Sequence, residues 1–205
     1  MEKKTKELLI IFYRNPVLGK VKTRLAATIE NAKALEIYRR LVAHTQVITC
    51  ELDVDKAVFY SDHVDVNDGW EDTLFQKLKQ QGTTLGERMY EAFSIGFSNG
   101  YESIYLIGTD CLELSSSVIN IAFIELRDHD AVIGPARDGG YYLMGINKIE
   151  AAIFQKKKWG TGTVYEDTIS DFKRLALRYS RLPILSDIDV EDDLPTSIKK
   201  LITKP

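Results

Sequence analysis

The stretch Ser103-Ile104-Tyr105-Leu106-Ile107-Gly108-Thr109-Asp110 decides how the chain is read. An unbroken apolar run that stops at Gly-Thr-Asp has the pattern of a strand buried on both faces, and such strands belong to parallel sheets covered by helices. A strand of that kind sets the residues after it at its carboxyl end, where open α/β sheets bind ligands. Here it delivers Asp110, with Glu113 and a Ser115-Ser116-Ser117 helix start just beyond. A carboxylate in that place suits a divalent cation, because hard cations take carboxylate oxygens and fill their remaining positions with phosphate and water. The same residue also suits a turn or a helix cap.

Working outward, Glu7 to Arg14 is a second continuously apolar segment and reads as a central first strand. The loop after it, Asn15 to Arg24, contains Pro16 and Gly19 and brings Lys20, Lys22 and Arg24 together. Gly19 lets a ligand approach the backbone and the cations supply charge, a combination that suits a di- or triphosphate. Neither the P-loop spacing nor the dinucleotide fingerprint is present, and an exposed basic loop is the plain alternative.

An amphipathic helix comes next over Asn31 to Thr49, with Ala34, Leu35, Tyr38, Leu41, Val42 and Thr45 at helical spacing. Lys56 to Ser61 reads as a strand, Asp62 to Asp72 as an acidic surface loop, and Thr73 to Gln80 as a short helix stopped by Gly82. Thr83-Thr84-Leu85-Gly86-Glu87-Arg88 is a threonine-led turn ahead of a helix over Met89 to Ser98. Its backbone amides and Arg88 can face a ligand, or it is an ordinary cap.

Beyond Asp110, a helix over Ser115 to Arg127 leads to a strand over Ala131 to Pro135 and then to Arg137-Asp138-Gly139-Gly140-Tyr141. Paired glycines remove both side chains, so a ligand can lie on bare backbone between Asp138 and Tyr141; a simple hairpin turn is the alternative. Trp159-Gly160-Thr161-Gly162-Thr163 precedes a helix over Val164 to Tyr179. That loop either closes over an acceptor site or anchors its Trp on the core. A strand around Leu182 to Leu185 leads to Asp187-Ile188-Asp189 and a terminal helix through Leu201. The helix dipole accounts for Glu191, Asp192 and Asp193, and accounts less well for Asp187 and Asp189.

The composition sets outer bounds. With 205 residues, 44% of them apolar and 28% charged, the balance is that of a globular chain, and we expect one domain over residues 1–205. A net charge of −3 leaves no electrostatic footprint for non-specific nucleic-acid binding. No apolar run approaches the roughly 20 residues of a membrane span. Lys3, Lys4 and Lys6 precede an apolar run as in a signal peptide, but Arg14-Asn15-Pro16 ends it early and no small-residue cleavage site comes after it, so a cytoplasmic location is expected. Cys50 and Cys111 form no metal spacing and read as reduced thiols, and His44, His63 and His129 are scattered. The roughly six or seven strands alternating with five or six helices imply a mainly parallel sheet covered on both sides.

Taken in order, these segments resemble the GT-A, nucleotide-diphospho-sugar transferase superfamily, and more closely a bacterial family of glycosyltransferase-like proteins (DUF2064) associated with radical-SAM and selenoprotein neighbours. The resemblance runs through Asn15 to Leu25, Leu85 to Met89, Ile107 to Asp110, Gly134 to Leu143, Trp159 to Thr161 and Asp187 to Asp189. It implies a single three-layer α/β/α sandwich on a mainly parallel, mixed sheet. It implies that Gly19, Lys20, Lys22 and Arg24 hold nucleotide phosphates, that Leu85, Gly86 and Arg88 lie near the base or ribose, and that Asp110 with Asp189 holds Mg²⁺ or Mn²⁺. Gly139, Gly140, Tyr141 and Trp159 complete the expected substrate surface, and Asp138 is the candidate base. Cys111-Leu112 stands where relatives have Ser-Pro, and Val190-Glu191 where they have Thr-Pro. The expected partners are a nucleotide or nucleotide-sugar donor and a small-molecule acceptor. Glycosyl transfer is the first expectation, nucleotidyl transfer with release of pyrophosphate the second, and a nucleotide-binding regulator without turnover the third.

Overall fold

The computed structural model describes residues 6–196, 198 and 199. In chain order it contains β1 (Glu7–Tyr13), α1 (Thr23–Ile29), α2 (Asn31–Cys50), β2 (Asp55–Tyr60), β3 (Gln76–Lys79), α3 (Leu85–Ser98), β4 (Ser103–Ile107), α4 (Ser116–Asp128), β5 (Ala131–Pro135), β6 (Tyr141–Ile146), α5 (Val164–Arg174) and β7 (Tyr179–Arg181). Short 3₁₀ turns cover Ala151–Ile153 and Glu191–Asp193.

The strands form one seven-stranded sheet in the order β3-β2-β1-β4-β6-β5-β7. β6 is antiparallel to both of its neighbours, and the remaining pairings are parallel. The two apolar runs of the sequence, β1 and β4, lie side by side at its centre, with Leu8 opposite Ile104 and Ile10 opposite Leu106. Because successive strand residues point to opposite faces, each run feeds two cores. Leu9, Ile11, Tyr105 and Ile107 pack under Tyr38 and Val42 of α2 and Ile119 and Phe123 of α4. Leu8, Ile10, Ile104 and Leu106 pack under Met89 and Phe93 of α3 and Ile169 and Phe172 of α5. The result is the expected three-layer α/β/α sandwich on a mixed sheet. A smaller cluster seats α1 and the segment after Asp187 on the outer face of α2, through Leu25, Ile37, Leu41, Ile188 and Leu194.

Five local expectations are corrected. Residues 76–79 are an edge strand, not a helix: Gln76 to Lys79 pair in parallel with Ala57 to Tyr60, and Leu78 packs on the α3 side of the sheet. Pairing with an open strand edge outweighs weak local helix propensity here, and lysines are what an exposed edge tolerates. The loop after β1 gives way to α1 at Thr23, a helix whose start carries no side-chain cap because Lys22 occupies that position. Helix α3 begins at Leu85 rather than Met89, with Thr84 and Glu87 forming a reciprocal capping box. Helix α5 ends at Arg174, and β7 forms before Leu182 rather than after it. Leu201, the expected end of the terminal helix, lies outside the described residues. No helix among the described residues is long and apolar enough to cross a membrane.

Candidate active site

Between β1 and β4 the winding of the sheet reverses. The chain leaves β1 to build β2 and β3 on one side and returns through α3 to β4 on the other. Reversals of this kind open a crevice at the carboxyl ends of the strands. A cavity of about 620 Å³ lies there.

Lys22 is the centre of its wall. Its backbone is left-handed, φ 47° and ψ 45°, immediately before α1. Its side chain is only 5% exposed, with Nζ 2.8 Å from Asp110 Oδ1 and 3.0 Å from Asp189 Oδ1. Arg24 Nη1 lies 3.4 Å from the other Asp189 oxygen. Burial by itself would lower the Lys22 ammonium, but the charges of Asp110 and Asp189 reverse the effect and hold it above the usual lysine range.

Main-chain contacts bring these distant residues together. The Ile188 N–H donates to the Asp110 carbonyl at 2.9 Å, so the Asp187–Asp189 segment runs beside the end of β4. Asp193 Oδ2 accepts the N–H groups of Asp189 and Val190, each at 2.9 Å. An acidic residue explained in sequence by a helix dipole therefore shapes the turn that presents Asp189. On the other side, the Tyr38 hydroxyl donates to the Arg14 carbonyl at 2.8 Å and lies 3.2 Å from Thr109 Oγ1. That link ties α2 to the ends of both central strands.

Asp187 completes an acidic wall. Its carboxyl is pushed up to about 7, first by burial, then by the charges of Asp110 and Asp138, with Lys22 opposing and Asp189 adding. Cys111, which replaces a serine of the resemblance, is pushed up to about 12 by burial and by Asp187. Its thiol stays protonated at neutral pH and lends no thiolate to the site.

Of the candidate residues read from the sequence, Lys22, Arg24, Leu85, Arg88, Asp110, Asp138, Gly140, Tyr141, Trp159 and Asp189 all line the cavity. Gly19, Lys20, Gly86 and Gly139 do not. Gly19 turns the loop at φ 74° beside Asn31. Gly86 is a packing glycine, since a Cβ there would stand 2.2 Å from the Phe154 carbonyl oxygen and 2.6 Å from Trp159 Nε1. Gly139, at φ 87°, lets the hairpin meet the loop before α5, where a Cβ would stand 2.0 Å from the Gly162 carbonyl oxygen. The paired glycines do form a hairpin turn, in which Asp138 Oδ1 accepts the Gly140 N–H at 2.9 Å. Phe12, Tyr13, Arg14, Ser61 and Gln80 also line the cavity and belong to no motif read in the sequence. Their one sequence signal is position at or just after the ends of strands β1, β2 and β3, which becomes informative only once strand order is known.

Among the described residues no group of three or more His, Cys, Asp or Glu side chains is arranged to hold a metal ion. The Asp110–Asp189 pair nevertheless converges on one positive centre, the Lys22 ammonium, and stays 45% and 37% exposed. Two hard carboxylates in that arrangement fit a cation such as Mg²⁺ or Mn²⁺ whose remaining positions go to phosphate and water.

A family model described as "Uncharacterized protein conserved in bacteria (DUF2064)" matches residues 42–161. The chain belongs to this family. The matched part of this DUF2064 protein contains Asp110, Asp138 and Trp159, while Lys22 and Asp189 lie outside it. A crystal structure from Desulfovibrio desulfuricans G20, carrying the name "putative nucleotide-diphospho-sugar transferase", is 32% identical at a TM-score of 0.82, covering 91% of this chain and 83% of that one. The inositol-1-phosphate CTP transferase of T. maritima shares the fold at 13% identity and TM-score 0.56, covering 100% and 97% of the two chains. So does the 4-diphosphocytidyl-2C-methyl-D-erythritol synthase of Anaerococcus prevotii DSM 20548, at 12% identity and TM-score 0.54, covering 96% of each. No curated protein sequence matches the chain.

Proposed function

We propose that this DUF2064 protein is a nucleotide-dependent transferase that moves a glycosyl group from a nucleotide-diphospho-sugar to a small-molecule acceptor. The observation that carries the reading is the Lys22–Asp110–Asp189 cluster at the point where the sheet reverses, with Arg24 beside it. The similarity to the Desulfovibrio protein supports the choice of donor.

Lys22 and Arg24 bind and neutralise the donor's phosphate oxygens, which gain charge as the glycosyl bond breaks, and Arg88, which also lines the cavity, faces the base or ribose. Asp110 and Asp189 would hold Mg²⁺ or Mn²⁺, which when bound supplies further positive charge at the departing diphosphate. Asp138 takes the proton of the acceptor hydroxyl as that oxygen attacks the sugar carbon; its carboxylate is oriented by the Gly140 N–H. Tyr141 and Trp159 wall the cavity and exclude water from the transfer.

Nucleotidyl transfer is the second reading, favoured by the likeness in fold to the inositol-1-phosphate CTP transferase. There an acceptor phosphate attacks the α-phosphorus and pyrophosphate leaves.

Thermal unfolding with nucleoside triphosphates and with nucleotide-diphospho-sugars, each with and without Mn²⁺, separates these readings. A ligand at a hundred times its dissociation constant adds about 2.7 kcal/mol of stability. The expected result is stabilisation by a nucleotide sugar that needs Mn²⁺ and disappears in Asp110→Asn, with nucleoside diphosphate released when an acceptor is present. Stabilisation by triphosphates alone, with pyrophosphate released, replaces glycosyl by nucleotidyl transfer. No response to either panel overturns both.

A further inference from the structure

We infer that Lys22 is a resident counter-ion of the Asp110–Asp189 pair which an incoming divalent cation displaces, freeing the ammonium to hold the donor's phosphate. The inference rests on the metal reading proposed above and assigns to one side chain the coupling between metal and nucleotide.

The argument begins with charge. Asp110, Asp138, Asp187 and Asp189 share one wall of the cavity. Lys22 Nζ sits between two of them, within 3.0 Å of an oxygen of each, while the rest of its side chain is packed away from water. In the metal-free protein this ammonium keeps the carboxylates from repelling one another. A divalent cation drawn to the same pair would meet the ammonium at close range, and like charges at that separation repel strongly where water is scarce. One positive centre has to leave.

Lysine is suited to be the one that moves. Its ammonium is a compact charge on a flexible four-carbon stem, not a planar fork locked to its partner. The backbone beneath it is pinned by the start of α1, where the Ala26 N–H donates to the Lys22 carbonyl at 2.8 Å. The ammonium can therefore be displaced by rotation about the side-chain bonds while the backbone keeps its place. Asp110 and Asp189 face the cavity with 45% and 37% of their side chains exposed, so a displaced ammonium travels toward the space a diphosphate would fill. Metal without phosphate leaves Lys22 with no acceptor, and phosphate without metal finds Lys22 occupied. Each ligand consequently raises the affinity of the other, and by thermodynamic linkage the two gains are equal.

Mn²⁺ binding to the full chain, monitored by electron paramagnetic resonance, tests this. Without nucleotide, Lys22→Met should bind Mn²⁺ about tenfold or more tightly than the wild type, because the competitor is gone. The gain in Mn²⁺ affinity that added nucleoside diphosphate brings to the wild type should fall away in the variant. Arg24→Gln, which also removes a positive charge beside Asp189, should shift Mn²⁺ affinity by less than about threefold; an equal gain there means net charge alone is responsible and overturns the inference.

Unchanged or weaker Mn²⁺ binding by Lys22→Met, with Asp110→Asn still abolishing it in the wild-type background, overturns the displacement and leaves the metal reading intact. No Mn²⁺ binding by the wild type or Lys22→Met, with or without nucleotide, overturns both. A measurement on the wild type removes any dependence on how the variant folds. Amine labelling read by mass spectrometry should find Lys22 protected in chelator and labelled severalfold faster with Mg²⁺ alone; protection unchanged by Mg²⁺ overturns the displacement.

Discussion

Two lysines in this protein have nearly the same local chemistry and opposite surroundings. Lys22 bridges Asp110 and Asp189; Lys77, on the edge strand β3, bridges Asp68 and Asp72 at 2.9 Å each. Both ammonium groups are well covered, 5% and 9% exposed, and both are held above the usual lysine range by their carboxylates against the opposing effect of burial. The difference is in the acids. Asp68 is 8% exposed and saturated from inside the fold, with Tyr60 Oη and the Trp70 N–H donating to its two oxygens. Asp110 and Asp189 are each more than a third exposed and face a cavity. A buried ion pair whose acceptors are used up internally holds a loop in place, whereas one whose acceptors remain open to a crevice can exchange its cation for another.

The sharpest way to break this contrast is to compare the two carboxylate centres by chemical denaturation. Asp68→Ala should cost about 3 kcal/mol, because it strips a buried ammonium, a tyrosine hydroxyl and a backbone amide of their shared acceptor. Asp110→Asn should cost less than about 1 kcal/mol, since its partner keeps Asp189 and the lost charge was wet. Equal losses at the two centres would dissolve the distinction.

A smaller effect concerns pH. The Asp187 carboxyl is raised to about 7 in the folded protein, against 3.8 for an ordinary aspartate. A carboxyl raised by folding contributes stability that is complete below its unfolded value and is lost as pH rises through the folded one. In metal-free buffer, stability should therefore fall between about pH 4 and pH 7, by an amount on the order of 2 kcal/mol given the partial exposure of the site. Asp187→Asn should flatten that decline in urea titrations across the range; a variant with the wild-type slope would mean that burial and the neighbouring acids do not raise Asp187. The smallest expected effect is at Asp72, whose side chain is 76% exposed. Asp72→Asn should change the unfolding free energy by less than about 0.5 kcal/mol, showing that Asp68 and not the rim carboxylate anchors Lys77.

What is legible in the sequence divides from the rest along a physical line. The apolar runs of β1 and β4, the stripes of α2 and α4, the Asp110 that ends the central strand and the cations after β1 are local patterns, and side-chain period and composition suffice to read them. The edge strand β3 reads as a helix because its residues carry a weak pattern and gain their conformation from β2, which no local window contains. The glycines are half legible: freedom of backbone is expected at Gly139 and a ligand-facing turn at Gly86, but the surface each one meets, Gly162 or Trp159, is supplied by another part of the chain.

From the residues alone, then, come the α/β layering and a part of the cavity's lining, because burial pattern is written at short range. The tertiary structure alone decided which of those side chains meet. Lys22 and Asp189 stand 167 positions apart in sequence and 3.0 Å apart in space. That meeting depends on strand order, on the Ile188–Asp110 backbone bond and on the turn Asp193 holds, all of them contacts that form only when the whole sheet is assembled.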